Sequence, residues 1–499
     1  MASLAVPPLY QRTRDPLFVF PPYFGWVVVP VASILLLGPH PWLGLLSLAV
    51  LVLGVGLLWR PNEIPSLLFF FAWQWIQTSI NLARAFFSGS TVSQLAEMPG
   101  ENEAAIALTL LGLLAIVAGL RITIGRSIAT ASVLVREQVL AVSLRKWIIA
   151  YFVSMVISLV AIEVSNFAPG LAQPLAVIAS LKWAFFLTLT YAVFASTRGY
   201  RLVWLAIFGF EFVLSLGGFF SSFRLVFLFA FLGILGAAPR MNGKQVFLLI
   251  TIASVAIFLG TVWTAIKIDY REYVNQGTRS QTILVGRSAQ LERMVTLATE
   301  LSDDDIAASL TALADRISYT QFFGSTLTYV PSVRPHADGA LTASGISRPF
   351  MPRIFFPDKP PIDESLHTNE YTGMGVTGIE QGTQISIGYF GDAYIDYGKV
   401  GMMFALFILG CMFGLYYRWM TTTSDAKGIV GGAAAAVLLV QSADIGFGGE
   451  KLLGGVVIWI FMTIVLAVTI LPRLRLWLGL SQRGNYLHQT GANSRIVGR

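Results

Sequence analysis

The chain carries little charge for its length. Asp, Glu, Lys and Arg make up 12% of its 499 residues, about half the share of an average soluble domain. That scarcity excludes a string of ordinary water-soluble domains. One cysteine, Cys411, lies inside an apolar stretch. No intrachain disulfide can form, so any segment outside a membrane must hold together by packing and hydrogen bonds. Four histidines are scattered without zinc-like spacing, and neither CxxC nor HExxH occurs. No metal site and no cofactor is therefore expected.

What is present is apolar. Hydrophobic residues make up 55% of the chain and the mean hydropathy is +0.69. Apolar runs of about twenty residues, the length that crosses a bilayer as a helix, recur along it. The sequence predicts an all-α, polytopic transmembrane bundle of about twelve spans. They fall at 22–38, 42–59, 64–83, 104–121, 147–166, 171–195, 201–217, 220–238, 245–267, 399–418, 429–446 and 452–471. Gly38-Pro39-His40-Pro41 separates the first pair. Gly217-Gly218 either breaks one long apolar stretch or forms a tight turn between two helices. Near the N-terminus, Arg12 and Arg14 precede an apolar run without a small-residue cleavage site, which reads as a retained first span.

The spans divide the chain into 1–267 with about nine of them, a polar segment 268–398, a membrane region 399–471 with about three, and a basic tail 472–499. The net charge is +7. From Asp269 to Asp396 there are nine Lys or Arg against sixteen Asp or Glu, so that segment is −7 and the rest is +14. The positive surplus sits in short links: 122–146, Arg198 to Arg201, Arg240 to Lys244, Arg418 to Lys427, and the tail. Basic links stay in the cytoplasm. They place both termini there and put 268–398 on the opposite, extracytoplasmic side. Such links suit the lipid bilayer's anionic headgroups, so no nucleic-acid partner is needed.

The polar segment contains elements of its own. Residues 288–300 have helical periodicity. Ser302 followed by Asp303-Asp304-Asp305 is an N-cap with an acidic first turn, and Ile306, Leu310, Leu313 and Ile317 form an apolar stripe. From Pro331 to Pro361 the chain is rich in proline and glycine and reads as irregular.

Several residues are suited to chemistry. Arg224 stands near the external end of a span, where it either snorkels, pairs with Glu211, or offers a bidentate donor to phosphate. Arg348, Arg353 and Lys359 put three cations on a short proline-stiffened stretch with Phe350, Phe355 and Phe356. That stretch is either a solvated surface loop or a clamp for a pyrophosphate. His367 or Glu370, beside Asn369, can serve as a general base if it reaches an acceptor hydroxyl. Asp392 and Asp396 are four apart, stacked on one face of a helix, and either orient the arginines or meet substrate. Tyr389, Tyr394 and Tyr397 suit an interfacial belt.

The motifs RPFMPRIFFPDKP, from Arg348 to Pro360, and GYFGDAYIDYGKVG, from Gly388 to Gly401, resemble those of the bacterial O-antigen and exopolysaccharide repeat-unit polymerases. The multi-span layout with one large late loop is similar too. About fifty residues carry the motif likeness, supported by topology over most of the chain. Asp392 stands where many relatives have Glu, which keeps the charge and changes its reach.

The resemblance implies a metal-independent glycosyltransferase that moves a glycan from undecaprenyl diphosphate onto another lipid-linked repeat unit. Arg224, Arg348 and Arg353 would hold the donor diphosphate. His367, Glu370 or Asp392 would orient or deprotonate the acceptor. Lys359, Asp396, Tyr389 and Tyr394 would contact substrate. Implied partners are undecaprenyl-diphosphate-linked oligosaccharides, a flippase and a chain-length regulator, and the implied location is a bacterial inner membrane with 268–398 in the periplasm. A ligase using the same carrier, a flippase or other transporter, and an assembly scaffold remain alternatives.

Overall fold

The structure, a computed structural model, describes residues 17–61, 63–125, 128–196, 199–217, 222–238, 242–278, 282–353, 355–378, 383–423 and 428–480. All regular structure among them is helical. The chain begins with α1 (Phe24–Leu37), α2 (Pro41–Leu58), α3 (Ser66–Ser88), the single turn α4 (Val92–Leu95) and α5 (Asn102–Ile124). Next come α6 (Ile128–Ala141), α7 (Leu144–Phe167), α8 (Ala172–Ser180), α9 (Lys182–Ala195), α10 (Arg201–Ser215), α11 (Phe223–Ala237) and α12 (Gly243–Val274). Five shorter helices follow: α13 (Arg287–Thr299), α14 (Asp303–Ile317), α15 (Thr320–Tyr329), α16 (Ala340–Ser347) and α17 (Glu364–Thr372). The last group is α18 (Tyr389–Arg418), α19 (Ile429–Gln441), α20 (Gly449–Thr469) and α21 (Leu471–Leu478).

Seven of these stretches are long and apolar enough to cross a membrane: α2, α5, α7, Pro169–Ala195 (α8 with α9), α12, Tyr389–Thr422 (α18 and its continuation) and α20. Three more, α1, α11 and α19, are apolar but shorter. Two expected spans, 64–83 and 201–217, correspond to α3 and α10, which are in neither group. In α3 the reason is a row of polar residues. Gln74, Gln77 and Asn81 are all buried against protein. The apolar stretch around Gly217 forms two helices, since α10 ends at Ser215 and α11 starts at Phe223.

The polar segment folds largely as its local signals indicate. Ser302 accepts a hydrogen bond from the Asp305 N–H, and Asp305 accepts one from the Ser302 N–H, closing a capping box at the start of α14. Of the stripe on α14, Leu310 is exposed, and Leu313 lies against Gly260 of α12. The proline-rich stretch is less irregular than expected, because it includes α16. The expected span start at 399 coincides with a kink. Gly398 has φ +66°, which divides α18 into a short segment carrying Asp392 and Asp396 and a long apolar one.

Small residues let α5 and α18 pack backbone to backbone. A Cβ on Gly410 would sit 2.2 Å from the Ile116 carbonyl oxygen, and one on Gly119 would sit 2.3 Å from that of Phe407. Glycine is the residue that permits this separation. Gly410→Ala is expected to cost about 1–3 kcal/mol through overpacking. A lower thermal midpoint of the purified protein in detergent would show it.

The helix ends collect in two places. The starts of α5, α11, α18 and α20 meet the end of α12 at one end of the bundle, together with α13 to α17. The Gly324 carbonyl of α15 accepts the Glu101 N–H at the start of α5 (3.0 Å), and α14 packs along α12.

Candidate active site

The chain enters α18 through Gly388, at φ +89°, where a Cβ would lie 2.4 Å from the Ile445 carbonyl oxygen. One turn later Asp392 is buried at the junction of α17, α18 and α20. Its Oδ1 lies 2.9 Å from His367 Nε2, and its Oδ2 accepts the Gly449 N–H at 2.6 Å. Beside it Glu364 accepts the Gly448 N–H at 3.2 Å and pairs with Lys451 at 2.6 Å. Lys451 also bonds Gln384. Two carboxylates thus hold the positive end of α20.

This geometry sets the behaviour of His367. Burial disfavours the charged ring, but the bonded Asp392 carboxylate, with Glu370 and Glu450 beyond it, outweighs burial and raises its pKa above the ordinary imidazole value. In the tautomer that donates Nε2–H to Asp392, Nδ1 is the nitrogen left to take a proton. The Tyr371 ring, 4.9 Å away between centroids, packs against the imidazole.

Glu450, in the first turn of α20, joins the proline-rich loop to this centre. It lies 3.2 Å from Arg348 Nε and accepts the Ser344 hydroxyl at 2.6 Å. Arg348 also donates to the Pro360 carbonyl at 2.5 Å, and Lys359 donates to the carbonyls of Arg348 and Met351 at 2.6 and 3.2 Å. Two of the three cations therefore tie the loop's two ends together. Burial and repulsion from Arg348 and Arg353 lower the Lys359 pKa. Arg353 is exposed on this loop, with Phe350 and Phe355 beside it. Glu370 forms an exposed ion pair with Arg334, whose guanidinium stacks 4.9 Å over Tyr371.

Three expected substrate contacts are occupied by the protein itself. Asp396 accepts the Leu341 and Thr342 N–H groups and the Thr342 hydroxyl at 3.1, 2.8 and 2.7 Å, capping α16. Tyr389 is buried and donates to Gln74 at 2.7 Å, and Tyr394 is buried and donates to the Val330 carbonyl at 2.7 Å. Asp396→Ala is expected to lose about 1–3 kcal/mol by leaving buried donors unpaired. Thermal unfolding checks it.

Arg224 does not pair with Glu211. The Glu211 carboxylate pairs with Lys182 at 3.0 Å and accepts the Tyr151 hydroxyl at 2.6 Å. Arg224, at the start of α11, instead stands within electrostatic reach of Arg316 at the end of α14. Arg316 in turn interacts with Lys267 and Arg271 on α12. Desolvation, followed by the charge of Arg224, lowers the Arg316 pKa. Among the described residues no carboxylate forms an ion pair with Arg224, Lys267 or Arg316. The adjacent Asp315 is taken by Arg84 of α3.

Tyr319 links this group to the His367 centre. It is within electrostatic reach of Arg316, Asp444 and Glu364, and its hydroxyl accepts the Ser386 N–H at 3.2 Å. Asp444 itself is held by Gln77 of α3 at 2.9 Å. Sequence reasoning missed Lys267, Arg271, Arg316, Glu364, Glu450 and Lys451. Lys267 and Arg271 had a signal, because spacing by four puts both on one face of α12. Among the described residues no three His, Cys, Asp or Glu side chains come together to hold a metal ion.

The profile of a domain of unknown function, DUF8712, matches residues 91–474. The chain belongs to the DUF8712 family. No curated protein and no solved structure matches it. The DUF8712 region begins just before α4 and reaches into α21, so it contains both His367 and Asp392 and all four members of the cation group. All of α1 to α3 lies ahead of it. Gln74, Gln77 and Arg84, which brace the site from α3, are therefore outside the DUF8712 match.

Proposed function

We propose that this protein is a polysaccharide polymerase of the O-antigen or exopolysaccharide type, acting on undecaprenyl-diphosphate-linked oligosaccharides. The observation that carries the reading is a carboxylate-held histidine together with a group of cations, of which Arg224, Lys267 and Arg316 form no ion pair with a carboxylate among the described residues. A transfer from a lipid diphosphate needs both a proton acceptor and charge compensation for the leaving group.

In this reading the acceptor sugar hydroxyl oxygen attacks the anomeric carbon of the donor glycan. The bond from that carbon to the diphosphate oxygen breaks, and the lipid diphosphate leaves with the electron pair. The hydroxyl proton passes to His367 Nδ1, while Asp392 orients the ring and stabilises its charged form. Arg224, Lys267, Arg271 and Arg316 receive the negative charge that grows on the diphosphate. Arg353 and the exposed aromatics of the 348–360 loop stand ready for the second substrate, with Arg348 and Lys359 setting the loop's shape.

In the remaining parts of the reading, span number and orientation rest on charge and hydropathy, and the bacterial inner membrane, the flippase and the chain-length regulator rest on the motif resemblance. The protein has about twelve spans in a bacterial inner membrane. Both termini face the cytoplasm and 268–398 faces the periplasm. A flippase supplies its substrates, and a chain-length regulator sets when it stops.

Reconstitution in liposomes with a lipid-linked repeat unit, followed by product sizing on a gel, tests the proposal. A ladder of glycans carried on the lipid is expected. Transfer to a separate acceptor would indicate a ligase, and movement across the bilayer without a new glycosidic bond would indicate a flippase. Either outcome contradicts polymerase activity.

A further inference from the structure

The opposite end of the bundle holds a cavity that takes no part in the chemistry above. It lies where α2, α9 and α11 end and α12 begins, and its volume is about 590 Å³. Phe20, Trp59 and Phe194 supply aromatic walls, with Val19, Pro22 and Pro61 adding apolar surface. Among the described residues the charged group on its lining is Arg136 of α6, and Asn242 and Gln245 are the other polar side chains.

Arg136 is poorly satisfied by the protein. It makes one long hydrogen bond, to the Ala237 carbonyl at 3.4 Å, and forms no ion pair among the described residues. The neighbouring acid is Glu63, in the link between α2 and α3. Glu63 is buried, one of its oxygens accepts the Tyr417 hydroxyl at 3.1 Å, and the other has no hydrogen-bond partner. Tyr191 stands within electrostatic reach of both Arg136 and Glu63. Burial pushes the Glu63 pKa up to about 8, against the pull of Tyr417 and Arg60. At neutral pH this carboxyl is therefore mostly protonated and does not cancel the charge of Arg136.

A guanidinium without a counter-ion, set among aromatic walls at the ends of apolar helices, matches an amphiphile with an anionic head. We propose that this cavity binds the phosphate headgroup of an anionic phospholipid from the leaflet at that end of the bundle, with Arg136 on the phosphate and Phe20, Trp59 and Phe194 against the glycerol and upper acyl carbons. Arg136 is intermediate in exposure, so a lipid head reaches it without the helices parting. A free phosphate ion would satisfy Arg136 alone and leave the apolar walls without a partner.

Native mass spectrometry of the full chain in detergent, with phosphatidylglycerol or phosphatidylcholine added at equal concentration, tests the assignment. The wild type is expected to retain phosphatidylglycerol about tenfold more strongly, because both lipids offer a phosphodiester to Arg136 but the choline cation of phosphatidylcholine offsets its charge and repels the guanidinium. Arg136→Gln should abolish that preference. Arg145→Gln, at an exposed basic residue on the same end but off the cavity, should leave it intact. Phe20→Ser changes a half-exposed wall and should weaken retention of both lipids while keeping the preference for phosphatidylglycerol, which keeps the test decisive if Arg136→Gln unfolds. Equal retention of the two lipids by the wild type would overturn the proposal. So would an unchanged preference in Arg136→Gln, no effect of Phe20→Ser, or displacement of phosphatidylglycerol by an equal concentration of inorganic phosphate.

Discussion

Arg316→Gln should slow chain elongation by about a hundred- to a thousand-fold, the usual cost of losing one preorganised donor to developing negative charge. It should also make the substrate-free protein more stable to heat. Those two effects belong together. Arg316 and Arg224 repel one another, and desolvation adds to the cost of keeping Arg316 charged. Such an arrangement weakens the empty protein and is favourable once an anion lies between the guanidiniums. A residue with a purely structural role would lose stability on substitution. The double variant Arg224→Gln/Arg316→Gln should be more stable still and no less impaired. Raising the salt concentration should weaken the wild type's apparent substrate affinity and have less effect on the double variant, because fewer site charges remain to be screened. Lipid-linked substrate with a gel readout gives the rate, and unfolding in detergent gives the stability.

His367→Ala should lower elongation by about a hundred- to ten-thousand-fold, the range for removing a general base. The pH profile identifies its role more specifically. The base acts when neutral, so the rate should rise with pH through the His367 pKa. That pKa is raised, chiefly because the bonded Asp392 carboxylate overcomes burial. Asp392→Asn removes the charge while keeping a hydrogen-bonding group, so the acid limb should move to lower pH. The maximal rate should fall as well, because the imidazolium formed during transfer loses its stabilising partner. For stability the sign is the reverse. A raised pKa means that protonated His367 stabilises the folded protein at pH values below its unfolded value. This contribution disappears as pH rises through the folded value. Activity and this part of stability should therefore trade against each other across the same pH window.

The sequence made local features plain and left the site's assembly hidden. The capping box at Ser302 and Asp305 was readable because both partners lie within three residues. The apolar runs were readable because helix length and bilayer thickness impose the same scale. Asp392 and His367 could each be named as candidates, since acids and imidazoles near a span start are few here. Their contact across 25 positions required the fold. The expected clamp of Arg224, Arg348 and Arg353 gave no hint of the partners that Arg348 has in the fold, the Pro360 carbonyl and Glu450. Arg348 and Lys359 hold backbone carbonyls of their own loop, and hydropathy and spacing carry no signal for such bonds.

The helix α3 shows a signal that was present and not used. Gln74, Gln77, Asn81 and Arg84 recur at three- and four-residue spacing along one face. Three of them end on groups around the site: Gln74 on Tyr389, Gln77 on Asp444, and Arg84 on Asp315. A polar stripe inside an otherwise apolar run is costly unless it faces protein, so this pattern marks an inward face supporting a polar centre. The Lys267–Arg271 pair at the end of α12 carries a similar signal. What no spacing could give was Arg316 opposite both of them.

The most direct measurement counts lipid diphosphate released against glycosidic bonds formed, using purified protein and a single lipid-linked repeat unit. One undecaprenyl diphosphate should appear for every bond, in the wild type and in whatever residual turnover Arg316→Gln shows. Glycosidic bonds forming without release of lipid diphosphate, or no bond formation by the intact reconstituted protein, would contradict the account.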